Sequence, residues 1–223
     1  MRIISGSYKG KKLFQPTDSK TRPLKDLTKE SIFNLLIHSK FKKFDLEKSI
    51  VLDLFSGSGS FGLECLSRKV KHVTFVENYK PAIRTFYKNI QYLNNIKNYD
   101  LIEKDIFDIK IKKHLNKNFD LIFADPPYKE KRISSLFSII EKNNFLNKNG
   151  LLILHRNKKT NDPLNDKFHI VNTRFYGKKI MRLYATFRSH KWWVCKNYII
   201  IFIPIFFICE WVILNYLRVF KIM

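Results

Sequence analysis

Between residues 49 and 188, short apolar runs alternate with longer amphipathic stretches, and this rhythm constrains the fold more than any other feature of the chain. The runs Ile50–Phe55, Val73–Glu77, Tyr99–Glu103, Phe119–Ala124 and Leu151–His155 have the length of buried strands and are bounded by Gly, Asn or Asp. Between them, Gly62–Lys69, Pro81–Leu93 and Arg132–Asn143 read as helices. Strand, helix, strand in that order predicts βαβ units, a mostly parallel sheet and right-handed crossovers, an α/β fold. Later, Phe168–Phe175 and Ile180–Phe187 flank Tyr176-Gly177 and predict a terminal hairpin. Residues 1–48 are basic and mixed, with a helical stretch from Leu27 to His38. The expected organisation is a basic segment over 1–48, an α/β domain over 49–188 and a distinct tail over 191–223.

Charge narrows the partners. A formal net charge of +23 on 223 residues concentrates polyanions near the surface, so nucleic acid or an anionic membrane is the expected partner. Part of this charge reflects a Lys-, Ile-, Asn- and Phe-rich composition of the kind an AT-rich coding sequence favours. Cys65, Cys195 and Cys209 are far apart and form no C-x-x-C pair, which fits a reducing compartment and argues against a disulfide framework or a zinc site. No metal centre is expected. Met1–Lys12 is basic and lacks the apolar core of a secretory signal, so a cytoplasmic protein is expected; a monomer is the expected assembly. The tail complicates this picture. Tyr198–Leu217 carries a single charge, Glu210, and is long enough to cross a bilayer, with Trp192, Trp193, Tyr198 and Tyr216 at its edges. Pro204 is tolerable in a membrane helix, but Glu210 is costly there. Membrane contact through residues 198–217 is one expectation; a packed extension, or translation beyond an ancestral stop, is the other.

The first chemical motif follows the first strand. Asp53-Leu54-Phe55-Ser56-Gly57-Ser58-Gly59, with Gly62 three residues on, is a G-x-G-x-x-G loop. Glycines there let the backbone turn tightly and approach a ligand at a helix N-terminus. Glu77 closes the next strand, where an acidic side chain can accept both hydroxyls of a ribose. The pair points to an adenosine-type ligand, either a nicotinamide cofactor or S-adenosylmethionine. Asp53 discriminates between them. A carboxylate aimed at the loop repels a pyrophosphate but suits a sulfonium and an ammonium group. Asp105, after the third strand, can accept from an adenine amino group while Ile106 or Phe107 packs on the ring; a helix N-cap is the alternative reading of Asp105.

The second motif is more specific. The strand Phe119–Ala124 runs into Asp125-Pro126-Pro127-Tyr128. Two prolines fix their own φ and restrict the preceding residue, so the turn is stiff. It lies at the carboxyl end of a strand, the edge where open α/β sheets bind ligands. An exocyclic nucleobase amine is a poor nucleophile because its lone pair is delocalised into the ring. The Asp125 carboxylate and the Pro126 carbonyl can bind its N–H groups and favour a pyramidal nitrogen, and Tyr128 offers a face on which a flipped base stacks.

In this order, D-x-F-x-G-x-G at Asp53–Gly59, Glu77, Asp105 and D-P-P-Y at Asp125–Tyr128 resemble the class I amino-methyltransferases. The flanks are more specific still. Arg2-Ile3-Ile4-Ser5-Gly6, Tyr8-Lys9-Gly10-Lys11-Lys12-Leu13, Thr21-Arg22-Pro23 and Lys29-Glu30-Ser31-Ile32-Phe33-Asn34 are similar to the opening of RsmD-type 16S ribosomal RNA guanine-N2 methyltransferases. Phe175-Tyr176-Gly177 and Arg182-Leu183-Tyr184 are similar to that family's close, so the likeness covers residues 1 to about 187. The resemblance implies a Rossmann-like, seven-stranded, mostly parallel sheet with a reversed last strand. It also implies methylation of one guanine N2 in the small-subunit rRNA, guanine 966 in 16S numbering, on an assembled or nearly assembled subunit. By position, Asp53, Phe55, Gly57, Gly59, Glu77, Asp105 and Ile106 would bind S-adenosylmethionine, and Asp125, Pro126, Pro127 and Tyr128 would hold the base. Lys9, Lys11, Lys12, Arg22 and Asn34 would meet RNA, although a solvated basic face is the plainer reading of the lysines.

Two departures stand out. The apolar tail lies outside the family pattern. His155-Arg156-Asn157 stands where an acidic residue is common after the fifth strand, and His155 reads as structural. Three other readings stay open: an adenine-N6 or cytosine-N4 amino-methyltransferase, a nicotinamide-dependent oxidoreductase that leaves D-P-P-Y unexplained, and a membrane-tethered RNA-binding relic without turnover. A span over residues 198–217 predicts that alkaline carbonate leaves the protein in the membrane pellet, whereas release into the soluble fraction excludes a span.

Overall fold

In the computed structural model, which describes residues 1–18, 24–38, 44–160 and 166–186, the βα rhythm produces a single seven-stranded sheet. Its strands are β1 (Ile50–Leu54), β2 (His72–Val76), β3 (Tyr99–Ile102), β4 (Phe119–Ala124), β5 (Leu146–Asn157), β6 (Phe168–Tyr176) and β7 (Lys179–Thr186). The helices are α1 (Asp26–His38), α2 (Ser60–Ser67), α3 (Lys80–Leu93), α4 (Ile111–His114) and α5 (Ile133–Lys142). The order across the sheet is β3-β2-β1-β4-β5-β7-β6. Strands β1 to β5 pair in parallel, and β7 runs antiparallel to both β5 and β6. This is the Rossmann-like sheet with a reversed last strand that the family resemblance implies. The candidate tail over 191–223 lies outside the described residues. Among the described residues, no helix is long and apolar enough to cross a membrane.

The central strands are buried on both faces, which is why they read as continuous apolar runs rather than alternating ones. Val51, Leu121, Phe123 and Ile153 join one core, while Leu52, Leu54, Ile122, Leu152 and Leu154 join the other. The second core is closed by Leu136, Phe137 and Ile140 of α5. The first is closed by α2 and by the amino-terminal segment, whose Ile3, Leu13, Leu24, Ile32, Phe33 and Leu36 are all buried in it. Phe61 sits at the centre, its ring 4.0 Å from Phe123 and 5.4 Å from Phe33, stacked on both.

A buried charge network holds the amino-terminal segment to the sheet layer. Glu64 of α2 is fully buried and accepts the backbone N–H of Ile4 at 2.7 Å, the N–H of Ser5 at 3.0 Å and Arg68 Nε at 2.8 Å. Lys29 of α1, also fully buried, lies 3.7 Å from Glu64 and donates to the Arg2 carbonyl. Burial pushes the Lys29 pKa down, and Glu64 and Asp26 oppose that shift. Gly6 completes the docking. It has φ 84, and a Cβ there would fall 1.9 Å from the Ser67 carbonyl oxygen, so only glycine lets this loop lie against α2.

Most element boundaries lie within one or two residues of the sequence reading, and two differences are larger. β5 begins at Leu146 rather than Leu151, because Leu146 pairs with Phe119 across a register irregularity, so the turn-like Asn147-Lys148-Asn149-Gly150 is part of a strand. The four-residue α4 was not expected, being too short to show periodicity.

Glu64→Ala leaves a buried ammonium and two backbone donors without their partner, and should destabilise the fold by ~3–5 kcal/mol. A urea titration checks this, with Glu64→Gln expected to recover part of the loss.

Candidate active site

Strand order reverses between β1 and β4, so the loops leaving their carboxyl ends diverge and open a crevice. A cleft of about 870 Å³ lies there. Asp53, Phe55, Gly57 and Glu77 line it from the β1 and β2 side, and Asp125, Pro126, Pro127 and Tyr128 line it from the β4 side. The two motifs, about seventy residues apart in sequence, thus share one cavity.

The β1 loop turns through positive φ at Phe55 (56°), Gly57 (58°) and Gly59 (84°). Its three glycines do different work. A Cβ on Gly57 would meet nothing within 4 Å, so this backbone is open to a ligand. A Cβ on Gly59 would lie 2.6 Å from the Phe86 ring, and one on Gly62 would lie 2.2 Å from the Phe75 ring. These two glycines serve close packing of the loop and α2, and Gly59 lies off the cleft lining. Glu77 braces the loop: one carboxylate oxygen accepts the Gly57 N–H at 2.7 Å, and the other accepts those of Asn78 and Tyr79 at 2.9 and 2.8 Å. A carboxylate oxygen has a second lone pair for a ligand hydroxyl.

Asp53 is the most perturbed group in the site. It is 1% exposed, accepts the Gly62 N–H at 2.9 Å, and its pKa is pushed up to about 8. Burial is the main cause; the Gly62 hydrogen bond opposes it, and the negative charges of Asp125 and Glu77 add to it. A buried carboxylate with two acidic neighbours favours a cationic ligand group. The same acidic cleft disfavours a pyrophosphate, which removes the main support for a nicotinamide cofactor.

On the opposite side, Asp125 follows Ala124, which is in register with Leu54 of β1 and Leu154 of β5. Its Oδ1 lies 3.0 Å from His155 Nδ1. Arg156, itself buried, donates to the carbonyls of Pro127 at 3.2 Å and Glu130 at 2.8 Å. Tyr128 is 56% exposed and free to present its ring to the cleft mouth. The stiff turn expected from two prolines is therefore also clamped from β5.

Other expected residues fall elsewhere. Asp105 accepts the Phe107 N–H at 3.0 Å and faces Arg132 at 3.5 Å, while Ile106 is buried in the second core; neither is in the cleft lining. Lys9 and Lys12 are exposed, and Lys11 lies over the rings of Tyr8 and Tyr92 at 5.4 and 5.3 Å. Asn34 is exposed on α1. Arg22 lies outside the described residues. No group of three or more His, Cys, Asp or Glu suited to a metal occurs among the described residues. Sequence reasoning missed the contacts of His155 and Arg156: His155, read as structural, touches Asp125 from within β5, a contact set by strand register that no local signal carries.

The family described as conserved hypothetical protein 95 matches residues 1–185. YlbH of Bacillus subtilis is 35% identical over 164 residues, covering 73% of this chain and 86% of that protein. The ribosomal RNA small subunit methyltransferase D of Buchnera aphidicola subsp. Baizongia pistaciae is 34% identical over 161 residues, covering 72% of this chain and 78% of that protein. Among solved structures, HI0767 from Haemophilus influenzae has a TM-score of 0.64 at 29% identity, covering 83% of this chain and 97% of that one. From its amino-terminal basic loop to its reversed last strand, the chain belongs to the RsmD family.

Proposed function

We propose that the protein methylates the exocyclic N2 amine of a guanine in small-subunit rRNA, guanine 966 in 16S numbering, with S-adenosylmethionine as donor. The observation that carries this reading is the meeting of two motifs in one cleft: a cation-favouring carboxylate loop on β1 and a clamped D-P-P-Y turn on β4. The relatives named as small-subunit rRNA methyltransferases and the net charge of +23 support RNA as the substrate class.

S-adenosylmethionine, when bound, supplies a methyl group made electrophilic by its sulfonium. The donor set fits that molecule. Glu77 would accept from a ribose hydroxyl with the one lone pair, on Oε2, that the Gly57, Asn78 and Tyr79 amides leave free. Asp53 would meet positive charge, and Gly57 would let the backbone approach closely. On the other side, the Asp125 carboxylate and the Pro126 carbonyl accept the two N–H bonds of the guanine amine. Holding both favours a pyramidal nitrogen whose lone pair is directed into the cleft. Asp125, or water in contact with it, receives the surplus proton. Tyr128 stacks on the flipped base, an interaction worth ~1–3 kcal/mol in single-strand binding systems. Lys9, Lys11 and Lys12 would meet phosphates of the flanking strand.

Unmodified small ribosomal subunits and labelled S-adenosylmethionine should yield N2-methylguanosine on nucleoside analysis. Asp125→Ala should lower that rate by ~100-fold or more, leaving cofactor affinity within about threefold. N6-methyladenosine as the product would overturn the guanine assignment, and absence of transfer to subunits, naked rRNA and DNA would overturn the enzymatic one.

Asp53 gives the cofactor site a pH dependence of known sign. With its pKa raised to about 8 by burial, the group is largely protonated at neutral pH, and a cationic ligand must expel that proton. Affinity for S-adenosylmethionine should therefore tighten as pH rises from about 6 to about 7.5, by up to ~10-fold per unit. Calorimetry in buffers of different ionisation heat should detect proton release on binding. Asp53→Asn should bind more weakly and lose the slope.

A further inference from the structure

The neighbour of Asp125 on β5 does more than fill the core. Ala124 pairs with Leu154 in a parallel register, so the next residue of each strand, Asp125 and His155, emerge side by side at the sheet's carboxyl edge. His155 is 5% exposed, and its Nδ1 lies 3.0 Å from Asp125 Oδ1. The following residue, Arg156, is 4% exposed and holds the carbonyls of Pro127 and Glu130 at 3.2 and 2.8 Å. Glu130 in turn accepts the Arg132 backbone N–H at 2.8 Å and its guanidinium at 2.9 and 2.8 Å. The turn that carries the D-P-P-Y residues is thus fixed along its backbone by Arg156, and at its one acidic side chain by His155.

We infer that His155 is the positioning residue for Asp125: its Nδ1–H holds Oδ1, sets the plane of the carboxylate and leaves Oδ2 to bind the amine. This rests on the reading of Asp125 as the amine-binding group. The contact requires the Nδ1–H tautomer, because an ionised carboxylate only accepts. The far side of the ring agrees: Nε2 is buried and has no hydrogen-bond partner among the described residues. As a bare lone pair that atom is tolerated more readily than a buried, unpaired N–H would be. Because Nε2 is buried and meets no polar neighbour among the described residues, the ring offers no onward path for a proton there. His155 therefore orients and does not shuttle, and the proton taken from the amine leaves through the cleft. A carboxylate with one oxygen tethered presents a single acceptor direction to the base, which matters because two N–H bonds must be met at once, one by Oδ2 and one by the rigid Pro126 carbonyl.

The test uses the full chain and three substitutions. His155→Asn keeps an N–H donor near the position of Nδ1, His155→Gln moves it towards the position of Nε2, and His155→Leu removes it. Leu and Gln should each lower kcat for subunit methylation by ~10-fold or more, with KM for subunits and cofactor affinity within about threefold. Asn should recover most of kcat. Equal losses in Asn and Gln, or a kcat unchanged in all three, would overturn the assignment; if the Leu variant does not fold, the contrast between Asn and Gln still decides. A second readout needs no turnover. Imidazole ¹⁵N NMR of the unsubstituted protein should show the proton on Nδ1, with resonances that shift in Asp125→Ala. An Nε2–H tautomer, or resonances indifferent to that substitution, overturns the assignment. A protein that passes the NMR test yet methylates nothing indicts the functional reading instead.

Discussion

The parallel pairing of β1 with β4 is the constraint on which the site depends. Asp53 pairs with Phe123 in the sheet, two residues short of Asp125, so one strand pair brings two carboxylates to a single crevice. Like charges at low dielectric repel, and burial raises the cost of ionising either. The fold maintains this arrangement because large apolar surfaces lie on both sides of it: the Phe33–Phe61–Phe123 stack beneath one face and α5 against the other. Packing thus supports an electrostatically unfavourable cleft whose natural complement is a positively charged ligand.

The rest of the chain fixes the edges of that cleft. On the β1 side, Glu77 draws the glycine loop down through the Gly57 amide, while Gly59 and Gly62 let α2 approach the Phe75 and Phe86 rings. Asn89 of α3, fully buried, reaches both ways: its amide donates to the carbonyls of Ser58 in the loop and Phe14 in the amino-terminal segment, and its oxygen accepts the Phe14 N–H at 2.7 Å. The basic amino-terminal segment is therefore tied through Asn89 to the glycine loop of the proposed cofactor site. On the β4 side the clamp comes from β5, so a displacement of that strand would be felt at Asp125.

Much of this was legible in the sequence because it is local. Apolar runs bounded by Gly, Asn and Asp mark strands whatever their partners are, and Phe119–Ala124 matches its strand residue for residue. The glycine loop and D-P-P-Y are readable because both work through backbone conformation, which Gly and Pro dictate directly. What escaped was non-local. That Gly57 faces open space while Gly59 and Gly62 face phenyl rings depends on α3 and β2, and nothing in the motif distinguishes the three. For Asp105 the sequence allows a ligand contact or a cap, and the hydrogen bond it accepts from the Phe107 N–H is the local turn that the second alternative resembles.

The sequence by itself determined all the elements but the short α4, their α/β class and the two motifs, since strand length, helix periodicity and turn chemistry are written within a few residues. Only the tertiary structure decided which residues meet. His155 is one apolar-run residue among several until a parallel register sets it beside Asp125, and Asp53 is an ordinary carboxyl until burial among other acids makes it hard to ionise. Both are consequences of strand order and packing, which arise from contacts between segments far apart in the chain.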